Sequence, residues 1–312
     1  MAALQKSVMK ENKRYRASRK ILIFWTLFIG IGAMLGGIVM LVDPSGEKAM
    51  MVAMLPYFQV LPFADVLFQD FVFSGIMLII VNGITNLTAA ALLFAKKKAG
   101  VILGGVFGLT LMMWITIQFV IFPANFMSTT YFIFGALQLL TGILCYVGYE
   151  QSLWSFDKSE YKNVGRDKSK AVVFYSRTGY TKKLAYELAN SSGACVFELK
   201  TTEKTDGSLG FWWCGRFGMH KWGMPLEKYD FSVKDFSEVT LCSPVWVFDI
   251  AAPTREFLKK ERGNFSCLNL VFVHFMGSKL SYLEKNASDA ANVKSKSFRS
   301  FRSHFGKLKE IE

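Results

Sequence analysis

Along the first half of the chain polar positions nearly vanish and return only in short clusters. From Ala99 to Tyr149 there are 51 residues without an Asp, Glu, Lys or Arg, far more than the roughly 20 needed to cross a bilayer once. That stretch predicts two crossings, with Pro123 to Thr130 supplying turn chemistry between them. Two more charge-free runs lie upstream: Ile21 to Val42, closed by Asp43-Pro44-Ser45-Gly46, and Phe71 to Ala95, closed by Lys96-Lys97-Lys98. The pattern predicts an α-helical membrane bundle of four spans, at about 21–42, 71–95, 99–122 and 129–149. A cleavable leader is the competing reading of the first run, since basic residues precede it. Its 22 residues exceed a typical leader core, and no small-residue cleavage pattern follows.

Between the first two spans, Ala49 to Asp70 is apolar but carries Pro56 and Pro62. A single helix through both would leave carbonyls unpaired in lipid, so a short interfacial or re-entrant element is expected. Polar residues within the spans are few. Asn82, Thr85 and Asn86 lie about one turn apart, with Gln118 and Gln138 in the later spans, and all suit the bundle interior as interhelical glue. A quinone or lipid head-group site is the alternative role. Gly32 with Gly36, and Gly104 with Gly108, have the spacing that permits close helix approach. All three histidines, His220, His274 and His304, follow the last span, so the bundle offers no imidazole pair for haem.

After Tyr149 the pattern changes. Residues 150–169 are polar with alternating charge and read as a linker, and 170–312 read as a cytoplasmic α/β domain. Ala171 to Tyr175 is a buried-strand run, Ser176 to Thr181 a hydroxyl-rich turn, and Lys182 to Ala189 a helix with Leu184, Ala185 and Leu188 on one face. Val239 to Ser243 is a second such strand, followed by Pro244-Val245-Trp246 and a helix from Thr254 through Leu258. Leu270 to Phe275 is a third, with Met276-Gly277-Ser278 as its exit loop.

Composition sharpens this division. The chain is 52% apolar and 20% charged, which excludes a disordered chain and a purely soluble enzyme. The formal net charge is +13. Basic residues crowd the segment 1–20 and the Lys96 to Lys98 triplet, whereas the 43–70 connection holds mainly acids, so the positive-inside rule places both termini in the cytoplasm. The expected location is the cell membrane, multi-pass.

A turn built from Ser176, Thr178, Gly179 and Thr181 at a helix N-terminus points N–H groups and hydroxyls at one spot, where the helix dipole favours an anion. Neither GxxxxGK[ST] nor GxGxxG occurs, so the ligand should carry a single terminal phosphate. An ordinary capped turn is the bland alternative. No metal site is expected: the five cysteines form no CxxC pair, and His220 has no partner at ligand spacing.

SRTGYT after a strand, together with SPVW and the downstream AAPTREFL, resembles the flavodoxin family, over roughly residues 170–308. The four-span half resembles no family. The resemblance implies a doubly wound, five-stranded parallel sheet in the order 2-1-3-4-5 with FMN at the switch point. It implies that Ser176, Arg177, Thr178, Gly179, Tyr180 and Thr181 wrap the phosphate. Pro244, Val245 and Trp246 would line the isoalloxazine, Trp246 stacking on it, while Phe275, Met276 and Gly277 approach from the other side. For Trp246 a core position is the alternative.

The sequence departs from the family pattern in Arg177 and Tyr180, and in a basic rather than acidic domain: residues 150–312 hold 26 basic and 19 acidic side chains. That charge should favour a reduced, anionic flavin and anionic lipid. The aromatic stretch Phe211 to Trp222 reads either as a crossover helix packed on the sheet or as a docking surface. Ser295 to Arg302 reads as a charged edge strand, in preference to a nucleic-acid patch. The expectation is a membrane-anchored FMN protein passing electrons from an unidentified donor to a membrane acceptor such as a quinone, with no catalytic acid or base required. A flavin-based redox sensor, or a flavin-free interaction module on a membrane anchor, are the alternatives.

Overall fold

Asn12 opens the first helix well ahead of the apolar run: its side-chain oxygen accepts from the Tyr15 N–H at 2.7 Å, satisfying one of the donors a helix start leaves free. The computed structural model describes residues 12–123 and 125–312, so most of the basic N-terminal segment (1–11) lies outside the described residues. The chain divides into two units at Leu153–Trp154.

In the first unit, α1 (Lys13–Val42) is followed by two one-turn helices, α2 (Leu55–Phe58) and α3 (Ala64–Leu67). Then come α4 (Val72–Leu78), a π-helical turn (Ile79–Ile84) and α5 (Thr85–Phe94), which together make one continuous span, and α6 (Lys98–Ile121) and α7 (Phe126–Leu153). Among the described residues, four helices are thus long and apolar enough to cross a membrane. α7 outruns its charge-free stretch, and Glu150, the first charge beyond that stretch, is paired with Lys98 at 2.5 Å. Between α1 and α4, Pro56 lies in the first turn of one four-residue helix, and Phe63, at φ 57°, immediately precedes the other.

The predicted glycine contacts are partly displaced. A Cβ at Gly32 would meet no other element within 4 Å, and one at Gly36 only a Leu78 side chain. The close approach is made one residue on, where a Cβ at Gly37 would lie 2.7 Å from the Gly75 carbonyl oxygen. Gly104 faces the Leu22 side chain, whereas Gly108 backs onto the Gly135 carbonyl and Gly105 onto Gly142. Some of the polar residues bridge helices: Gln138 donates to Asn86 Oδ1 (2.8 Å) and to the Gly104 carbonyl (2.7 Å), joining three spans, whereas the Thr85 hydroxyl donates back to the Val81 carbonyl of its own span. Gln118 instead lies near the turn, accepting from the Ser128 hydroxyl at 3.4 Å. Asn82, 1% exposed on the π turn, has an amide without a hydrogen-bond partner among the described residues.

The second unit alternates strand and helix: β1 (Asp167–Phe174), α8 (Tyr180–Ser192), β2 (Ala194–Glu198), α9 (Gly207–Met219), β3 (Glu238–Trp246), β4 (Asp249–Ile250), α10 (Ala252–Lys260), β5 (Leu268–His274), α11 (Tyr282–Ala291), β6 (Ser297–His304) and β7 (Lys307–Ile311). The parallel strands stand β2-β1-β3-β5-β6, the doubly wound order expected. Apolar residues alternate between two helix-covered faces. Leu270 and Phe272 pack on one, Val271 and Val273 on the other, and every residue of β5 is buried.

Two features correct the sequence reading. The sheet has more than five strands, because Phe305 (φ 49°) and Gly306 (φ 88°) reverse the chain and lay β7 antiparallel on β6. The Ser297–His304 strand is therefore covered rather than an edge, and its Arg299 forms a two-pronged pair with Glu310 (2.7 and 2.6 Å). Within the segment read as a linker, Phe156 and Tyr161 pack on Tyr186 of α8, and Asn163 makes two hydrogen bonds to Asn190.

Candidate functional site

The carboxyl ends of β1, β3 and β5 converge on a cavity of about 420 Å³, within the range of small-molecule sites. Its first wall is the turn after β1. Ser176 folds that turn by accepting from the Gly179 N–H at 3.1 Å. Gly179, at φ +92°, occupies the left-handed position before α8, where a Cβ would also overlap the Trp154 indole. The turn thereby presents Arg177, Thr178, Tyr180 and Thr181 to the cavity at the positive end of α8, and Thr181 is 3% exposed. Ser176 and Gly179 shape the turn and do not line the cavity. Arg177 donates to the Thr205 carbonyl at 3.3 Å and lies over the Phe211 ring at 5.5 Å, which ties the turn to α9.

The second wall corrects an expectation. Pro244, Val245 and Trp246 are not a loop but the end of β3, where Val245 pairs with Ile250 and Trp246 with Asp249 of β4. The reversal falls on Val247 (φ 47°) and Phe248 (φ 61°), both left-handed. All three predicted residues line the cavity. Trp246 is partly buried and stands edge-on to Tyr175, with centroids 5.5 Å apart, so it takes part in the core as well as the lining. The hairpin is locked by a buried ion pair: Asp249 meets Arg255 at 3.0 Å, with side chains 10% and 7% exposed.

At the third wall Phe275 is 78% exposed and lines the mouth, whereas Met276 packs against the core and Gly277 meets nothing within 4 Å. His274 had drawn no attention as a lining residue. It is buried, with Nε2 2.7 Å from the Ser300 hydroxyl. Burial holds its imidazole below the ordinary 6.5, with a partial opposing pull from the Met276 backbone. In the window between the native pKa and 6.5 the unfolded chain holds more protons, so native stability falls as pH drops through that window. We expect the pH dependence of thermal unfolding between about pH 7 and 5 to flatten in His274→Gln relative to the parent. Identical slopes would mean that His274 does not titrate between the two states.

The remaining lining came from segments that the motifs did not mark: Phe211, Cys214 and Gly215 of α9, and Ser303 to Phe305 before β7. Burial pushes the Cys214 thiol up to about 11 and the Tyr175 phenol up to about 12, so neither ionises near neutrality. At one end the cavity gathers hydroxyls, an arginine and a helix N-terminus. Elsewhere its walls are aromatic and apolar. Trp154, wedged between Gly179 and Gly306, buries an indole N–H that has no partner among the described residues, leaving an unmatched donor beside the hydroxyl end. Such a site suits a flat, apolar ring system carrying one anionic group.

No protein family matches the sequence as a whole or in part. No curated protein matches it either. Similar solved structures include a protein from Bacteroides eggerthii DSM 20697 assigned to the flavoproteins (14% identity, TM-score 0.39, covering 43% of this chain and 88% of that one). A second is a flavoprotein in complex with FMN from Lactobacillus acidophilus NCFM (19%, TM-score 0.37, 43% and 93%). A third, from Bacteroides uniformis ATCC 8492, is likewise assigned to the flavoproteins (16%, TM-score 0.39, 43% and 90%).

Proposed function

We propose that this chain is a membrane-anchored FMN protein that transfers electrons at the cytoplasmic face of the cell membrane, to a quinone or another membrane redox partner. The observation that carries the reading is a cavity that joins the Ser176–Thr181 turn to Trp246 and Phe275 at the carboxyl edge of the β2-β1-β3-β5-β6 parallel strands. In such sheets ligands bind outside the carboxyl ends of the strands, where the winding changes direction.

In this reading the Thr178 and Thr181 hydroxyls and the first N–H groups of α8 hold the phosphate, and Arg177 adds charge. Ser176 keeps the turn closed. Trp246, Pro244 and Val245 flank one side of the ring, while Phe275 and Phe211 keep water from the other. FMN supplies the redox chemistry. The protein binds it, orients it and sets its surroundings, and the two groups pushed above neutrality, Tyr175 and Cys214, stay protonated. Distribution of Lys and Arg around the spans supports cytoplasmic termini. No nicotinamide motif occurs in the sequence, so if a nicotinamide is the ultimate reductant it either meets the flavin loosely or acts through a separate reductase.

The test is direct. The full chain purified in detergent is expected to show a flavin absorption band, to retain FMN in preference to riboflavin through dialysis, and to be reoxidised by a soluble quinone after reduction. Preparations that remain colourless after reconstitution with excess FMN would overturn the proposal. Bound flavin without turnover would instead point to a sensor.

A further inference from the structure

Among the described residues after Leu153, every exposed large apolar side chain lies on one edge of the domain. They occur in α9 and the residues that follow it, in the β3–β4 reversal, and between β5 and the start of α11. Leu209 is 87% exposed, Trp212 73%, Met219 65% and Phe248 60%, and Phe275 joins them at the cavity mouth. These segments adjoin one another. A Cβ at Gly218 of α9 would lie 3.0 Å from Val247, and the Tyr282 hydroxyl donates to the Phe248 carbonyl at 2.6 Å. Phe211, Val247 and Phe275 also line the cavity, so the patch adjoins its mouth, and an exposed apolar surface confined to one face marks an interaction site.

We infer that this edge is a bilayer-docking surface, on which Leu209, Trp212, Met219, Phe248 and Phe275 enter the head-group boundary of an anionic membrane. Three features select lipid over a protein partner. Tryptophan and basic residues together are the composition of an interfacial helix. Arg216 lies over the rings of Trp213 and Trp222 at 5.5 and 5.8 Å, and Lys204 and Lys221 are exposed nearby. Asp206 is also exposed there, and Glu203 accepts from the Trp213 N–H at 2.8 Å, so the three basic groups outnumber the two carboxylates and the face keeps a net positive charge. Such a face repels a second copy of itself and attracts anionic head groups.

The chain itself supplies the third feature. Trp154, the first residue after α7, is packed against Gly179 and Gly306, at the carboxyl ends of β1 and β6. The polypeptide leaving a helix long enough to cross a membrane thus joins this domain on the same edge as the aromatic patch. Tethering converts even weak surface affinity into an effectively intramolecular event. Docking would set the cavity mouth at lipid level, which makes a lipid-soluble molecule the class of acceptor that fits the proposed electron transfer. The docking surface itself does not require that reading.

Hydroxyl-radical footprinting of the full chain tests the inference, with one copy per lipid nanodisc and with the same protein in amphipol. We expect oxidation of Trp212 and Met219 to slow severalfold in nanodiscs of anionic lipid, and less in neutral lipid. Arg216→Glu with Lys221→Glu should remove most of that difference. Equal oxidation in nanodisc and amphipol would overturn the inference. So would protection that develops only when several copies share one membrane, which would assign the patch to self-association. The readout is taken with and without added FMN, so a chain that binds no flavin still returns an answer about docking.

Discussion

The Thr178→Ala, Thr181→Ala variant is expected to lose bound FMN while keeping whatever affinity the chain has for riboflavin. Each hydroxyl donates to a charged phosphate in the proposed site, and hydrogen bonds to charged groups contribute about 1.5–3 kcal/mol apiece. Two together correspond to a weakening of roughly 10²- to 10⁴-fold. The fold should tolerate the change: the turn is closed by Ser176 accepting from Gly179, not by either threonine. Equilibrium dialysis with fluorescence detection of FMN and riboflavin separates the outcomes. Parallel losses for both ligands would mean a collapsed pocket, and unchanged FMN affinity would remove the threonines from the phosphate site.

Asp249→Ala should produce the largest loss of stability in the second unit. Asp249 meets Arg255 at 3.0 Å, accepts from its own neighbour Ile250 N–H at 2.8 Å and receives Asn286 Nδ2 at 3.3 Å. Arg255 in turn donates to the Trp222 carbonyl at 3.2 Å. Burial pulls the Arg255 pKa down and the aspartate pulls it back, so the guanidinium is tolerated inside only because its partner is present. Removing one member of such a pair costs about 3–5 kcal/mol. At about 2–4 °C per kcal/mol for a domain of this size, unfolding should begin far earlier on heating. Trp246, paired with Asp249 across the hairpin, should report the loosening in its emission. Asp249→Ala combined with Arg255→Met should be less damaging than Asp249→Ala alone, since no charge is stranded. If the double variant is as unstable as the single, the hairpin depends on hydrogen bonds to Asp249 and not on charge balance.

What could be read from the sequence, and what could not, follows from how local each signal is. Charge-free runs announce spans whatever their neighbours do, and the Ser176–Thr181 turn carries its glycine and hydroxyls in six consecutive positions. The β3–β4 hairpin was invisible because its reversal uses Val247 and Phe248 at positive φ, where Asn-Gly would have given the turn away. With a proline at its head, the PVW segment looked like a loop. β7 was missed because Lys307 to Ile311 is short, breaks alternation at Lys309-Glu310 and has no fully buried position. The α9 lining escaped since a helix this aromatic offers no contrast between sides. Phe211 and Cys214 sit one turn apart, but only the neighbouring loops decide that this side faces the cavity. Helix contacts in the bundle shifted to Gly37 and Gly105 for the same reason: spacing identifies small residues, not which of them meets a partner.

The π-helical turn at Ile79–Ile84 acts as a phase shifter within its span. A π turn amounts to one extra residue in an α-helix, and each α-helical residue advances the screw by about 100°. Deleting a single residue there would leave the upstream half seated while turning everything beyond it by about that angle. Asn86, Ala89, Ala90 and Leu93, now facing inward, would rotate toward the outside, and Gln138 would lose its hydrogen bond to Asn86. The extra residue thus lets two half-helices with different preferred azimuths share one crossing.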